Sequence, residues 1–181
     1  RRPMTGRHRM WDGGRWIDVT VPVSGGENVM VPVIRAIVHP PGEPTTVLLQ
    51  RRDIPKESVR GRWEIPGGRW RAGEPPAEAI RREVEEETGL TVALVRGIDD
   101  HVVGAGRRIA SVRPVVVVAG VEGAFPAVHL VVLAEATGTP RPKDGETADV
   151  GWWALDEVTR AIDEDPEAFI PSAAVALRAY A

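Results

Sequence analysis

Two hydrophobic periods alternate along this chain. Apolar runs of strand length occupy residues 29–38, 46–51, 91–96, 112–121, 128–136 and 150–154, with a short one at 63–65. Most are bounded by turn residues: His39-Pro40-Pro41-Gly42 closes the first, and Trp63-Glu64-Ile65 runs into Pro66-Gly67-Gly68. Runs of four to ten apolar residues between such breakers read as buried strands. The segment Trp16-Ile17-Asp18-Val19-Thr20-Val21 instead alternates, as a strand or hairpin with one apolar face does. The period lengthens at residues 76–88, where Ala77, Ile80, Val84 and Thr88 fall three or four apart and predict an amphipathic helix. No Ser, Thr, Asn or Asp caps its start, but Pro75-Pro76 suits a first turn, and Gly89 suits a left-handed stop. Two further helices are expected near residues 155–163 and 172–180. Many strands with few helices make this an α/β chain.

Composition narrows the class. At 181 residues the chain is long enough for one domain with a real core. Residues 1–27 form a separate-looking lead, basic at first (Arg1, Arg2, Arg7, Arg9), ahead of a main domain at 28–181. The chain does not begin with methionine, which leaves room for further sequence ahead of it. A net charge of −3 argues against bulk nucleic-acid binding. No apolar run is long enough to span a membrane, and no signal-peptide pattern is present. The absence of cysteine removes disulfides, thiolate metal sites and cysteine nucleophiles, and fits a cytoplasmic location.

The predicted helix at 76–88 carries the chemistry. At about 100° per residue, Glu83, Glu86 and Glu87 share one face within a turn, while Glu85 points away. Carboxylates so close repel one another. A solvated acidic face is the bland explanation. The sharper one is a hard divalent cation, since Mg²⁺ or Mn²⁺ takes oxygen ligands and bridges carboxylates to phosphates. Arg82, four residues before Glu86, is in reach to pair with it and orient it. Glu74 reads as a turn and helix-start residue with a supporting role.

The spacing of these residues is more specific than any one of them. From Gly68 it reads five residues, Glu74, seven residues, then Arg82-Glu83-Val84-x-Glu86-Glu87-x-Gly89-Leu90. Chance would assemble it with a probability on the order of 10⁻⁹ per starting point. The 23 residues from Gly68 to Leu90 resemble the Nudix box, with every required position filled. The resemblance implies an α/β/α sandwich around a mixed β-sheet. It also implies an Mg²⁺-dependent (or Mn²⁺-dependent) hydrolase of nucleoside diphosphates linked to another group. Glu83, Glu86 and Glu87 would be metal-binding and catalytic, and Gly67, just before the box glycine, would lend its carbonyl oxygen to the metal.

The resemblance extends outward from the box. Arg51-Arg52 ends the strand Val47-Leu48-Leu49-Gln50, as "RR" or "QR" often does in members of the MutT type. An arginine there offers a planar donor fork to substrate phosphates, with Arg52 favoured over Arg51 and a salt bridge to Asp53 as the plain alternative. Glu146 precedes Trp152-Trp153 in a Pro/Gly/Asp-rich loop, from which some family members draw a catalytic glutamate; Asp144 competes with it. Trp63, Trp152 and Trp153 could stack on a base, although a tryptophan is more often core. His39, His101 and His129 show no metal-ligand spacing and read as structural.

Three substrate classes remain open: nucleoside triphosphates, ADP-ribose and nucleotide sugars. The strand-rich lead, together with the resemblance, favours a homodimer. An isoprenoid-type isomerase of the same fold would require a cysteine. A non-catalytic Nudix-like nucleotide sensor would be expected to carry a degraded box and an added DNA-binding domain, and the sequence after the last strand is too short for a winged helix.

Overall fold

The computed structural model describes the backbone of residues 4–11 and 16–23, and residues 30–55, 57–104, 106–120, 127–143 and 145–181. Its strands are β1 (Met4–Trp11), β2 (Trp16–Val23), β3 (Val31–His39), β4 (Thr46–Arg52), β5 (Trp63–Glu64), β6 (Gly67–Arg69), β7 (Thr91–Arg96), β8 (Ile98–Val103), β9 (Arg107–Val112), β10 (Val116–Ala119), β11 (Ala127–Thr137) and β12 (Thr147–Ala154). The helices are α1 (Pro76–Thr88), α2 (Leu155–Glu164) and α3 (Pro171–Tyr180), with a 3₁₀ turn at Pro166–Ala168 between the last two.

The largest sheet is mixed. β11 pairs in parallel with β3 from Ala127↔Val31 to Glu135↔His39, and β6 pairs antiparallel with the other edge of β3. The far side of β11 serves two strands end to end, β10 along its first half and β7 along its second. A second, antiparallel sheet runs β12-β4-β5.

Strand alternation explains why both faces of these sheets are covered. Along β3, Ile34, Ala36 and Val38 enter a core shared with Ala79, Ile80 and Val84 of α1. Ile37 enters another, shared with Val158 and Ile162 of α2 and Ala173, Ala176 and Leu177 of α3. On β4, Leu48 joins the α1 side, while Val47 and Leu49 join the α2–α3 side. A strand buried on both faces must be apolar at successive positions, hence the near-continuous runs. Helices on both faces of a mixed sheet make the expected α/β/α sandwich.

Three details differ from the sequence reading. The run at 112–121 is two strands, because Arg113-Pro114 separates β9 from β10 and proline cannot donate to a ladder. Residues 98–112 form an unforeseen hairpin, β8–β9, in register from Ile98↔Val112 to Val103↔Arg107. Its strands are rich in Asp, His, Arg and Ser, so no apolar run announced them. The basic start of the lead is also a strand: β1 pairs with β2 from Met4↔Val23 to Trp11↔Trp16. The apolar face expected of the lead concerns side chains outside the described residues.

Candidate metal and phosphate site

Helix α1 spans the residues its periodicity predicts, and Gly89 stops it at φ 68°, its N–H donating to the Glu85 carbonyl. Its buried positions are Pro76, Ala79, Ile80, Val84, Glu87 and Thr88. Ala79 is therefore more central than Ala77, and Glu87 lies inside the apolar stripe instead of beside it. The C-terminal end is held by the segment that follows β11. Arg141 N–H donates to the Thr88 carbonyl at 2.9 Å, and Thr147 Oγ1 donates to the Glu87 carbonyl at 3.1 Å. These contacts satisfy carbonyls that a helix end leaves without partners.

The Glu87 carboxylate, 5% exposed, is anchored through one oxygen. Gln50 Nε2 donates to Oε2 at 2.8 Å, and Gly67 N–H donates to the same atom at 2.9 Å. Burial pushes this carboxyl up to about 8, and the neighbouring Glu64 charge pushes the same way, against the Gly67 N–H, Arg35 and Gln50. Burial also raises Glu83, with Arg82 opposing.

The two glycines before the helix allow this closeness. Gly67 has φ 138°, and a Cβ there would lie 2.4 Å from the Ile34 carbonyl oxygen. A Cβ on Gly68 would lie 2.6 Å from the Glu83 carboxyl. The first thus seats the segment against β3, and the second lets Glu83 rest on backbone.

Arg82 ties the acidic residues together. It forks onto Glu74 (Nε to Oε1 2.8 Å, Nη2 to Oε2 3.1 Å), and its Nη1 reaches Glu83 Oε1 at 2.6 Å and Glu86 Oε2 at 3.2 Å. Its pairing with Glu86 was expected; the bidentate hold on Glu74 is the closer one. Glu74 also accepts from Arg71 N–H at 3.3 Å, and its carbonyl accepts from Trp70 Nε1 at 2.8 Å, which fixes the turn before α1. Glu85 faces outward, 3.4 Å from Lys143.

Strand alternation separates the two arginines of β4. Arg52 leaves the same face as Gln50, forks onto Glu57 at 2.8 and 3.2 Å, and lies 3.7 Å from Glu64 Oε1. The Glu146 charge also acts on it, and the Glu146 carbonyl accepts from Asp53 N–H at 2.7 Å. Arg51 leaves the other face, 5.1 Å over the Trp63 ring and 3.3 Å from Asp149. Trp153 meets Trp63 edge-on at 5.2 Å on that side, whereas Trp152 packs on the α1-side core. Arg52 and Glu146 are brought beside one another; Arg51, Trp63 and Trp153 gather elsewhere. Asp53 pairs with Arg60, and Asp144 lies outside the described residues.

The histidines have structural surroundings. His39 is buried with Nδ1 3.0 Å from the Pro40 carbonyl oxygen, and His101 meets Ser111 Oγ at 2.8 Å. His129 Nδ1 accepts from Arg35 Nε at 3.3 Å, and burial, then the Arg35 charge, lowers it to about 4. Sequence reasoning missed a polar layer behind the acidic helix: buried Gln50 and Glu64 with the part-buried Arg35. Glu64, 1% exposed, accepts from Arg35 Nη1 at 2.9 Å, which also donates to the Ile65 carbonyl at 2.7 Å. The available signal was a polar residue within or at the end of each of three apolar runs, V-I-R-A-I-V, V-L-L-Q and W-E-I.

Among the described residues, no three His, Cys, Asp or Glu side chains form a ready metal cage. Mg²⁺ commonly takes one or two carboxylates and completes its shell with water and substrate phosphate. The donors are all oxygens, and burial raises Glu83 and Glu87, favouring their neutral forms where no cation offsets the cost of charging them. The site therefore fits a hard divalent cation.

The NUDIX domain family model matches residues 30–173. The chain belongs to the NUDIX family. A MutT NUDIX hydrolase from Burkholderia pseudomallei has a similar structure, with a TM-score of 0.55 at 23% identity over 83% of this chain and 98% of that one. A Mycobacterium tuberculosis protein provisionally named 8-oxo-dGTP diphosphatase 2 is 52% identical over 48 residues, 26% of this chain and 33% of its own length. A mouse protein named 8-oxo-dGDP phosphatase is 30% identical over 102 residues, 54% of this chain and 25% of its own length. The chain thus spans a third or less of these two curated relatives. Within this NUDIX domain, no described helix is long and apolar enough to cross a membrane, which says nothing of β-barrels.

Proposed function

We propose that this NUDIX chain is a pyrophosphohydrolase that requires a divalent cation, Mg²⁺ with Mn²⁺ as substitute. Its substrate would be a nucleoside diphosphate linked to a further group. The observation that carries the reading is the Glu87 carboxyl buried against Gly67 and Gln50, with Glu83 and Glu86 joined through Arg82 on the same helix. These glutamates, with the Gly67 carbonyl, would hold the cation, which when bound neutralises the diphosphate and polarises its P–O bonds.

Arg52 offers its guanidinium to a phosphate, exchanging part of its hold on Glu57. Water forms the new bond to phosphorus as the bridging P–O bond breaks, and a carboxylate takes the water's proton. Glu146 and the box glutamates are the candidates for that base. Products are a nucleoside monophosphate with pyrophosphate from a triphosphate, orthophosphate from a diphosphate, or a phosphorylated partner. Arg82, Glu74 and Gly68 support the arrangement, and Arg51 is the weaker candidate for substrate contact because it leaves the other face of β4. The relatives' names favour a nucleoside di- or triphosphate, oxidised purine nucleotides first, over ADP-ribose and nucleotide sugars.

The test is a nucleotide panel with Mg²⁺, both products identified, repeated in excess chelator. Turnover that survives the chelator would sink the metal mechanism. Tight nucleotide binding without turnover would replace the enzyme with a nucleotide sensor.

A further inference from the structure

We infer that Gln50 is a positioning residue for Glu87, its side-chain amide deciding which carboxylate oxygen is left for a cation. The inference rests on the metal-site reading above. Both N–H donors that reach the carboxylate, Gln50 Nε2 and the Gly67 backbone, fall on Oε2. Oε1 is the oxygen neither engages.

Three observations separate this role from ordinary core packing. Gln50 is 0% exposed and follows three buried apolar residues, Val47, Leu48 and Leu49, so an apolar side chain would suit the strand. Its Oε1 is buried and has no hydrogen-bond partner among the described residues. An unpaired buried carbonyl opposes folding, so half of this amide works against the stability of the strand that carries it. The other half acts on Glu87 alone. The helix end is fastened independently, by Thr147 on the Glu87 carbonyl and Arg141 on the Thr88 carbonyl. Gln50 is therefore not needed to place the Glu87 backbone; it orients the side chain. A like charge makes that orientation necessary. Glu64 is the cross-strand partner of Gln50, and its charge acts on Glu87. Without Gln50, the Gly67 N–H alone would hold Oε2 against that repulsion.

Gln50→Met removes the amide at nearly constant volume, and Gln50→Leu is the second apolar variant should the first fold poorly. Mn²⁺ binding is measured by calorimetry on the full chain without nucleotide, alongside thermal melting in chelator. The expected result is a 10- to 100-fold weaker Kd for Mn²⁺, the range for residues that orient a metal ligand. The melting temperature should be unchanged or higher, because the unpaired buried carbonyl removed offsets the lost Nε2 hydrogen bond. In a Glu87→Gln background the same substitution should change the Kd less than about twofold, since Gln50 acts through Glu87. A Gln50→Met protein that binds Mn²⁺ as tightly as the unaltered chain overturns the inference, as does equal weakening in both backgrounds. An unaltered chain that binds no Mn²⁺ fails differently: it removes the metal-site reading, and this inference with it.

Discussion

Glu85, Glu86 and Glu87 are three identical side chains in sequence with three different surroundings. Glu85 is exposed beside Lys143, Glu86 is half-exposed on Arg82, and Glu87 is buried on Gln50 and Gly67. Replacing Glu86 or Glu87 by Gln should lower kcat by on the order of 10²-fold, because charge stabilisation at such sites contributes several kcal/mol. Glu85→Gln should leave kcat within about twofold, since an exposed ion pair contributes little. Steady-state kinetics on the three variants decides it, and an equal loss at Glu85 would refute the helical phasing. Glu87 also sets a pH dependence. Its carboxyl lies at about 8 in the folded chain against an ordinary 4.5. Between those values the folded chain holds a proton that the unfolded chain has released, so stability from this group is full below about pH 4.5 and is lost as pH rises through about 8. Urea midpoints in chelator should fall across this window, and Glu87→Gln should flatten the slope. A slope unchanged in that variant would mean that Glu87 is not the group responsible, leaving Glu83, raised in the same direction, to explain it.

At the scale of elements, α1 does two jobs with one face. Ile80 and Val84 are 0% exposed in the core beneath β3, and the same stripe carries Glu87 to its anchors. Ile80→Ala should therefore cost about 2–5 kcal/mol in urea unfolding, the range for a buried large-to-small change. Ala77→Ser, at the margin of the stripe, should cost less than about 1 kcal/mol. Similar losses at both positions would show that the helix packs with another face. Helix α1 was legible in sequence because its period, its prolines and its glycine all agree. The β8–β9 hairpin was not, since cross-strand pairing alone holds its polar strands in register.

The whole molecule poses the question of the lead. Among the described residues β1 and β2 pair only with each other, and an isolated two-stranded hairpin is marginal in water. We propose that the lead packs in a homodimer. Deleting residues 1–27 should then convert a dimer into a monomer that retains Mn²⁺ binding but loses activity through substrate contacts. Light scattering on both forms decides it, because an intact chain that is monomeric at micromolar concentration refutes the dimer and leaves the hydrolase reading standing.

By itself the sequence determined whatever depends on neighbours along the chain. The buried strands, the span of α1, the place of Glu83, Glu86 and Glu87 along it, and the glycines of the box all follow from period and spacing, because helix and strand geometry repeats every few residues. Tertiary structure decided what depends on residues far apart. It put Arg52 beside Glu146 and sent Arg51 to the opposite face, since strand alternation assigns sides only once the sheet has neighbours. It also buried Glu87 against Gln50, 37 positions earlier. Desolvation is a property of everything that surrounds a group, so the charge state of that carboxylate was written nowhere in the motif that contains it.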